Sequence, residues 1–546
     1  MPLPGGATDK FGIRYEGLWT VSCMVEVLEE RADSIRLEPP GEEGEGAEFW
    51  LRCGDITEYH QVKRQYSQSG RWTLAELERT GRVLSHFLDK LNDSDVRCVF
   101  VSTQSAYQLN ELSDRARRSN SFDEFKQEFL KDKKNAEAFR DLFTRWNLHG
   151  AEIKAYDALK RIRVVTIDEC SLRTTHLESR LTALVEGNPP NIRETLAQFA
   201  LDNVHHELIA SDIWDHLKER GYRPREWSKD PLVLSAVQSQ NDRYLSQLRD
   251  EVITESSMLR DEVNSILDNF VSSDNNKNVL ITGEAGVGKS NVILQVVEKL
   301  QDQSLPVLAF RVDRLSSTQL PDDVGSQLGL PGSPANVLAA ISQGRDCVLV
   351  IDQLDAVSLA TGRNPDFFDC IHEIINQTEA YPQMLLLLAC RKFDIDNDHR
   401  LRRLTSKEGT FDVVPIKPLP HETVRSVVND LGLDSKKLNT NQLKLLSIPL
   451  HLRILSEISE NKTNDVLNFE SVRDLYHGYW DYKQTVIRER LGRSIRWTQV
   501  VDALCDYMST KQLLYSPKYV VDEYPYDARA MASEHVLILE DFEKPN

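Results

Sequence analysis

The stretch Gly283-Glu284-Ala285-Gly286-Val287-Gly288-Lys289-Ser290 sets glycines, a lysine and a hydroxyl at the spacing GxxxxGK[ST]. Glycines let successive backbone N–H groups turn toward a phosphate, and a helix starting there adds its dipole. Lys289 then reaches the β- and γ-phosphates while Ser290 holds Mg²⁺. The apolar run Val279–Thr282 precedes the loop and the helical pattern Asn291–Leu300 follows it, which is the context the motif needs. Downstream, the apolar run Val348–Ile351 ends in Asp352, a carboxylate at a strand's C-terminal end, placed to bind Mg²⁺ through water. Asp355 is placed either to polarise an attacking water or to cap a helix. Arg391 follows the strand-like run Leu385–Ala389 and reaches the same sheet edge, to sense a γ-phosphate or to pair with a nearby acid. No NKxD motif follows, so ATP is expected rather than a guanine nucleotide.

A second set lies near the N-terminus. Glu48 opens one strand-like run and Tyr59-His60-Gln61-Val62-Lys63 follows on the next. Alternation places Gln61 and Lys63 on one strand face and His60 on the other. A hairpin can bring Glu48 beside them, and a helix bearing Glu16 precedes both strands. Carboxylates with an amide oxygen can hold Mg²⁺ at Glu48 and Gln61, while Lys63 stabilises a pentavalent phosphate or activates water. Glu38 takes the acid role if the strand register is shifted. An exposed amphipathic hairpin would carry the same residue types without chemistry.

These residues need elements to position them. A helical pattern over Ile13–Glu30 precedes strand-like runs at Ser34–Glu38, Ala47–Arg52 and Thr57–Lys63, with Gly41–Gly46 as an exposed turn. Strands are also expected at Val96–Ser102 and Ile162–Ile167. From Leu232 to Val271 the pattern is helical, with Met258, Leu259, Val263, Ile266, Leu267 and Phe270 on one face. Strands at Val279–Thr282, Val307–Arg311, Cys347–Ile351, Leu385–Ala389 and Val413–Ile416 alternate with helices, implying a parallel sheet covered on both faces. Beyond Pro420 the pattern is helical.

Composition sets bounds on all of this. The chain has 546 residues, enough for about three or four domains. Asp and Glu number 85 against 66 Lys and Arg, a net charge of −19 that argues against coating nucleic acid by bulk charge. Arg115–Arg118 and Lys131–Lys134 form a locally basic stretch, suited to phosphates or to a solvated helix face. The longest apolar run, Met384–Cys390, is far short of the roughly 18–20 residues of a membrane span. Eight scattered cysteines, with no zinc-type spacing and no secretory signal, lead to the expectation of a cytoplasmic protein.

The phosphate loop, the strand ending at Asp352 with Asp355, Arg391 and Ser447-Ile448-Pro449-Leu450 resemble the STAND class of P-loop NTPases. In that class a GxP-type motif brings a proline, here Pro449, toward adenine; Ser447 departs from the motif's glycine. Gln353 stands after Asp352 where fast ATPases carry Glu, which implies slow turnover and a switch. Glu16, Glu48, Gln61 and Lys63 follow the residue order of the PD-(D/E)xK nuclease fold, with Glu for Asp and Gln for Glu as departures. The polar Arg64-Gln65-Tyr66-Ser67 after them suits a backbone phosphate.

The combination resembles the Avs-type antiviral STAND proteins. That resemblance implies an α/β multidomain chain with a restriction-endonuclease-like domain (1–225), a helical linker (226–277), a P-loop NTPase parallel-sheet domain (278–420), a helical domain (421–490) and a partial winged helix (491–546). It implies an ATP-gated, Mg²⁺-dependent endonuclease for double-stranded DNA, assembled as a homo-oligomer such as a tetramer after a phage protein triggers it. Members continue into a long sensor, so the chain is expected to be a fragment or to take its trigger from another protein. The competing expectation is a nucleotide-controlled oligomerising switch or scaffold whose N-terminal domain binds a partner without nuclease chemistry.

Overall fold

The computed structural model describes residues 5–41, 44–64, 70–251, 260–271, 278–360, 364–405, 411–459, 466–511, 516–534 and 536–537. The chain divides into two units. The first is Met1–Asp230 with Ala335–Arg345 and Ile375–Pro382; the second is Pro231–Pro334 with Asp346–Ile374 and Gln383–Asn546.

In the first unit helix α1 (Gly5–Leu28) begins eight residues before the expected start, and strands β1 (Ser34–Leu37), β2 (Phe49–Cys53) and β3 (Ile56–Lys63) form an antiparallel meander. Strands β4 (Val96–Ser102) and β5 (Ile162–Thr166) then add parallel to β3 and to each other. Helix α2 (Pro189–Asp202) is followed by β6 (Glu207–Ile209), which pairs antiparallel with β1. The sheet order is therefore β5-β4-β3-β2-β1-β6. Three residues are too few to show a period, which is why β6 escapes a sequence reading.

Alternation along β4 divides the core in two. Val99 and Val101 join Tyr15, Leu18 and Leu196 on one face, while Cys98 and Phe100 join Trp72, Leu109 and Leu159 on the other. A strand buried on both faces reads as the unbroken apolar run that Cys98–Val101 is. Glu48 just before β2 and Glu38 just after β1 are held by backbone bonds beyond the strand ends. The Glu48 N–H donates to the His60 carbonyl (2.9 Å) and the Glu38 N–H to the Glu48 carbonyl (2.8 Å).

The second unit opens with α3 (Pro231–Glu251) and α4 (Asp261–Val271). The single helical pattern expected over 232–271 is thus two described helices, and Met258 and Leu259 fall outside the described residues. Val263, Ile266, Leu267 and Phe270 are buried, as their spacing requires. Strands β7 (Asn278–Gly283), β8 (Val307–Arg311), β9 (Cys347–Asp352), β10 (Met384–Arg391) and β11 (Phe411–Pro415) form one parallel sheet, ordered β8-β9-β10-β7-β11, with α5 (Lys289–Asp302) after β7. Strand β10 carries the longest apolar run at the centre of this sheet. All of Met384–Cys390 is buried.

After β11 the chain is helical among the described residues, with a core of Leu419, Val424, Leu446, Leu452 and Leu475. Helix α6 (Pro449–Ser459) belongs to this part. Ile487, Trp497, Val500 and Met531 form a last small cluster. The stretch expected to be part of a winged helix shows helices at Trp497–Lys511 and Pro525–Ser533 and no strand among its described residues.

Candidate functional site

Strand β7 runs into the glycine loop and the loop into α5, so backbone N–H groups surround a concave turn. Gly286 and Gly288 have φ of +74° and +99°, in the left-handed region that favours glycine. Space is as restrictive as conformation here. A Cβ on Gly286 would lie 2.8 Å from the Leu450 Cβ, and one on Gly288 would lie 2.7 Å from an Arg260 nitrogen and 3.2 Å from the Pro449 Cγ. Glu284 and Ala285 are exposed at the loop tip, Val287 is buried beneath it, and Ser290 is half-buried in the first turn of α5.

The Lys289 ammonium donates to the carbonyls of Gly283 (2.9 Å) and Glu284 (3.1 Å), so it lies along the inside of the loop. Burial lowers its pKa, against the opposing pull of Asp355 and Asp352. That environment makes a charged partner such as phosphate favourable.

Asp352 ends β9 and is buried, and burial pushes its carboxyl up to about 6 despite the Arg311 guanidinium. Its oxygens accept from the Gln353 N–H (2.7 Å) and the Tyr244 hydroxyl (3.3 Å). Gln353 sits at φ +58°, a left-handed residue without the freedom of glycine, directly after the carboxylate. Asp355 lies in the short turn Leu354–Val357 and pairs with Arg391 (3.1 Å). For Arg391 the acid-paired arrangement is therefore the one present, and Asp355 caps no α-helix.

Pro449 and Leu450 reach the loop from α6: the Leu450 N–H donates to the Gly286 carbonyl (3.2 Å). Ser447 sits at φ −63°, so that position needs no glycine and the departure from GxP is structurally neutral. Two residues of this site were not picked out from sequence. Arg260 donates to the Val287 and Lys417 carbonyls, both at 2.8 Å, holding the back of the loop. Tyr244 sits on α3, beside Asn241 and Gln240, whose side chains bond the backbone of the edge strand β8 at Val307 and Ala309. A polar triplet on an otherwise amphipathic helix was the only available signal.

The N-terminal set converges as its alternation predicts. Gln61 Nε2 and Lys63 Nζ both donate to Glu48 Oε1, the lysine at 2.7 Å. Glu16 on α1 lies close enough that, after burial itself, Glu48 is the next largest cause raising its carboxyl to about 7, with Lys63 opposing and Glu38 adding. Glu48 thus occupies the position beside Gln61 and Lys63, and exposed Glu38 flanks it. His60 points away, stacked on Phe49 at 4.7 Å and accepting from the Trp19 indole N–H (3.1 Å). Its burial pushes the imidazole down to about 3, so it stays neutral.

Arg64 pairs with Glu169 (3.0 Å), which also holds Arg14 (2.8 Å); Gln65, Tyr66 and Ser67 lie outside the described residues. In the basic stretch Arg115 pairs with Glu111, Arg117 with Asp114 and Lys131 with Glu128, the arrangement of a solvated helix face.

Among the described residues no group of three or more His, Cys, Asp or Glu is arranged to hold a metal ion. Mg²⁺ asks for less than that, since it keeps several waters and takes one or two carboxylates. The hard oxygens of Glu48, Glu16 and Gln61 in one unit, and of Ser290 and Asp352 in the other, suit it chemically. No helix among the described residues is long and apolar enough to cross a membrane.

No protein-family model and no curated protein matches the chain. Among solved structures it is similar to the FIGL-1 AAA domain in complex with ADP, at 16% identity and a TM-score of 0.27, over 44% of this chain and 89% of that one. It is similar to AMPPCP-bound DnaA from Aquifex aeolicus at 15% and 0.26, over 53% and 82% respectively. Domain III of the Thermotoga maritima replication initiation protein DnaA gives 16% and 0.23, over 43% and 85%. Likenesses of this size assign no function.

Proposed function

We propose that this chain is an ATP-controlled switch whose N-terminal unit is a Mg²⁺-dependent endonuclease for double-stranded DNA, acting in antiphage defence. The observation that carries the nuclease part is the convergence of Gln61 and Lys63 on one oxygen of Glu48, beside the proton-hungry Glu16. The antiphage role and the phage trigger rest on the resemblance to the Avs-type family.

In this reading Glu48, Glu16 and the Gln61 carbonyl would hold Mg²⁺, which would supply Lewis acidity for phosphodiester hydrolysis. Lys63 leaves Glu48 to face the charge that builds on the phosphorane oxygens. In the second unit the Gly283–Ser290 loop and Lys289 cradle the triphosphate, with Ser290 and Asp352 facing Mg²⁺ and Pro449 closing the adenine side. Arg391 is freed from Asp355 when a γ-phosphate competes for it. That exchange favours one conformation in the triphosphate state, and assembly of copies follows from it.

Plasmid DNA incubated with the chain, Mg²⁺, ATP and an extract of phage-infected cells tests the proposal. Cleavage by wild type and none by Lys63→Ala supports it. ATP binding with intact plasmid in both favours the alternative, a switch whose first unit binds a partner.

A further inference from the structure

A cavity of about 460 Å³ opens in the first unit beside the carboxylates, on the α1 side of the sheet. It lies within the roughly 300–1,000 Å³ range of small-ligand pockets. Glu16, Glu38 and Glu48 line it together with Arg173, and Leu18 and Leu37 belong to its mostly aliphatic wall. Arg173 makes no ion pair or hydrogen bond among the described residues, whereas the other arginines of the cavity, Arg14 and Arg193, are committed to Glu169 and Glu178.

Gly17 gives the second observation. It sits inside helix α1 and lines the cavity, yet its φ is not positive and a Cβ built on it meets no described atom within 4 Å. A glycine inside a helix costs about 1 kcal/mol relative to alanine. Neither backbone conformation nor packing requires it here, and a side chain added at this position would enter open space where the residue lines the cavity.

We propose that this cavity receives one nucleotide unit of the strand to be cut, unstacked from its neighbours. The aliphatic wall takes base and sugar, Arg173 takes one flanking phosphate, and the carboxylates meet the other through a divalent cation. Unstacking one base costs a few kcal/mol, which burial against the aliphatic part of the wall and the contacts to both phosphates offset. Arg14, Thr20, Arg193 and Glu194 also line the cavity, so a base seated there meets charged and polar groups as well as the aliphatic wall. This inference rests on the nuclease reading of the same carboxylates, and it adds the occupant and the residues that hold it.

The test is calorimetric titration of the full chain with thymidine 3′,5′-bisphosphate in Ca²⁺, which occupies hard oxygen sites. Wild type, Gly17→Leu and Arg173→Gln are compared, with an unchanged circular-dichroism spectrum and thermal melt confirming that each variant is folded. Leucine is a far better helix former than glycine, so its variant fills the cavity without weakening α1. The expected result is binding by wild type, weakened about tenfold or more in Gly17→Leu and Arg173→Gln. Thymidine 5′-monophosphate, the free-nucleotide arm, should bind about tenfold more weakly than the bisphosphate because Arg173 gains nothing from it. No binding by wild type, equal binding by all variants, or equal affinity for the two nucleotides overturns the proposal. Bisphosphate binding with the expected variant pattern, but plasmid left intact under every condition, overturns the nuclease reading and leaves the pocket standing.

Discussion

One oxygen of Glu48 receives both an amide N–H and an ammonium, and that shared bond makes Lys63 a side chain that can leave. The pair is partly exposed, so Lys63→Ala should cost no more than about 1 kcal/mol of stability in urea melts. The same change should lower DNA cleavage by about 10²–10³-fold, the usual scale for removing a group that faces transition-state charge. Glu16 gives a pH signature. Its folded carboxyl stands at about 7 against 4.5 for the ordinary group, so the folded chain holds this proton longer than the unfolded chain. Its stabilising contribution is complete below pH 4.5 and disappears as pH rises through 7. Thermal melts without divalent ions should therefore show Glu16→Gln gaining on wild type as pH rises, by about 1–3 kcal/mol at pH 8. His60 works in the opposite sense: its depressed pKa of about 3 removes stability as pH falls below 6.5. Equal pH profiles for Glu16→Gln and wild type would contradict the burial of that carboxyl. In the second unit, Tyr244→Phe keeps the ring and removes the hydroxyl beside Asp352. Titrating Mg²⁺ into ATP-bound protein should show about tenfold weaker metal dependence, with Mg²⁺-free ATP affinity unchanged.

Elements differ in how far their sequences announce them. Strands β7 to β11 are apolar runs of five to eight residues bounded by turns, and their positions were legible to within a few residues. The meander that carries Glu48, Gln61 and Lys63 was legible too, because one-in-two alternation fixes which side chains share a face. Strand β6 was not, being three residues long. Arg260 and Tyr244 were not either, because their partners are a loop carbonyl and a carboxylate far away in the chain. Neither period nor motif encodes such contacts. The cavity lining is the extreme case, drawn from α1, the ends of two strands, a short helical turn and α2. At this scale the glycine loop and α6 are mutually fitted. Gly288→Ala should abolish ATP binding and lower stability by about 1–3 kcal/mol, from its φ of +99° and the contacts with Arg260 and Pro449. ATP binding at wild-type strength by that variant would contradict the close approach of α6.

For the whole molecule, the charge of −19 opposes nonspecific DNA binding, so the proposed contact with DNA would depend on a few side chains and bound cations. The glycine loop and the carboxylate site lie in different units of the chain, and the proposed switch would couple them through assembly. Light scattering should show the ATP- and trigger-dependent increase in mass in wild type and in Lys63→Ala, and no increase in Lys289→Ala. The most direct measurement of the central claim is plasmid integrity with Mg²⁺, ATP and infected-cell extract, compared among wild type, Lys63→Ala and Lys289→Ala. Cut DNA is expected with wild type alone; intact plasmid with wild type, or equal cutting by Lys63→Ala, would contradict the endonuclease assignment.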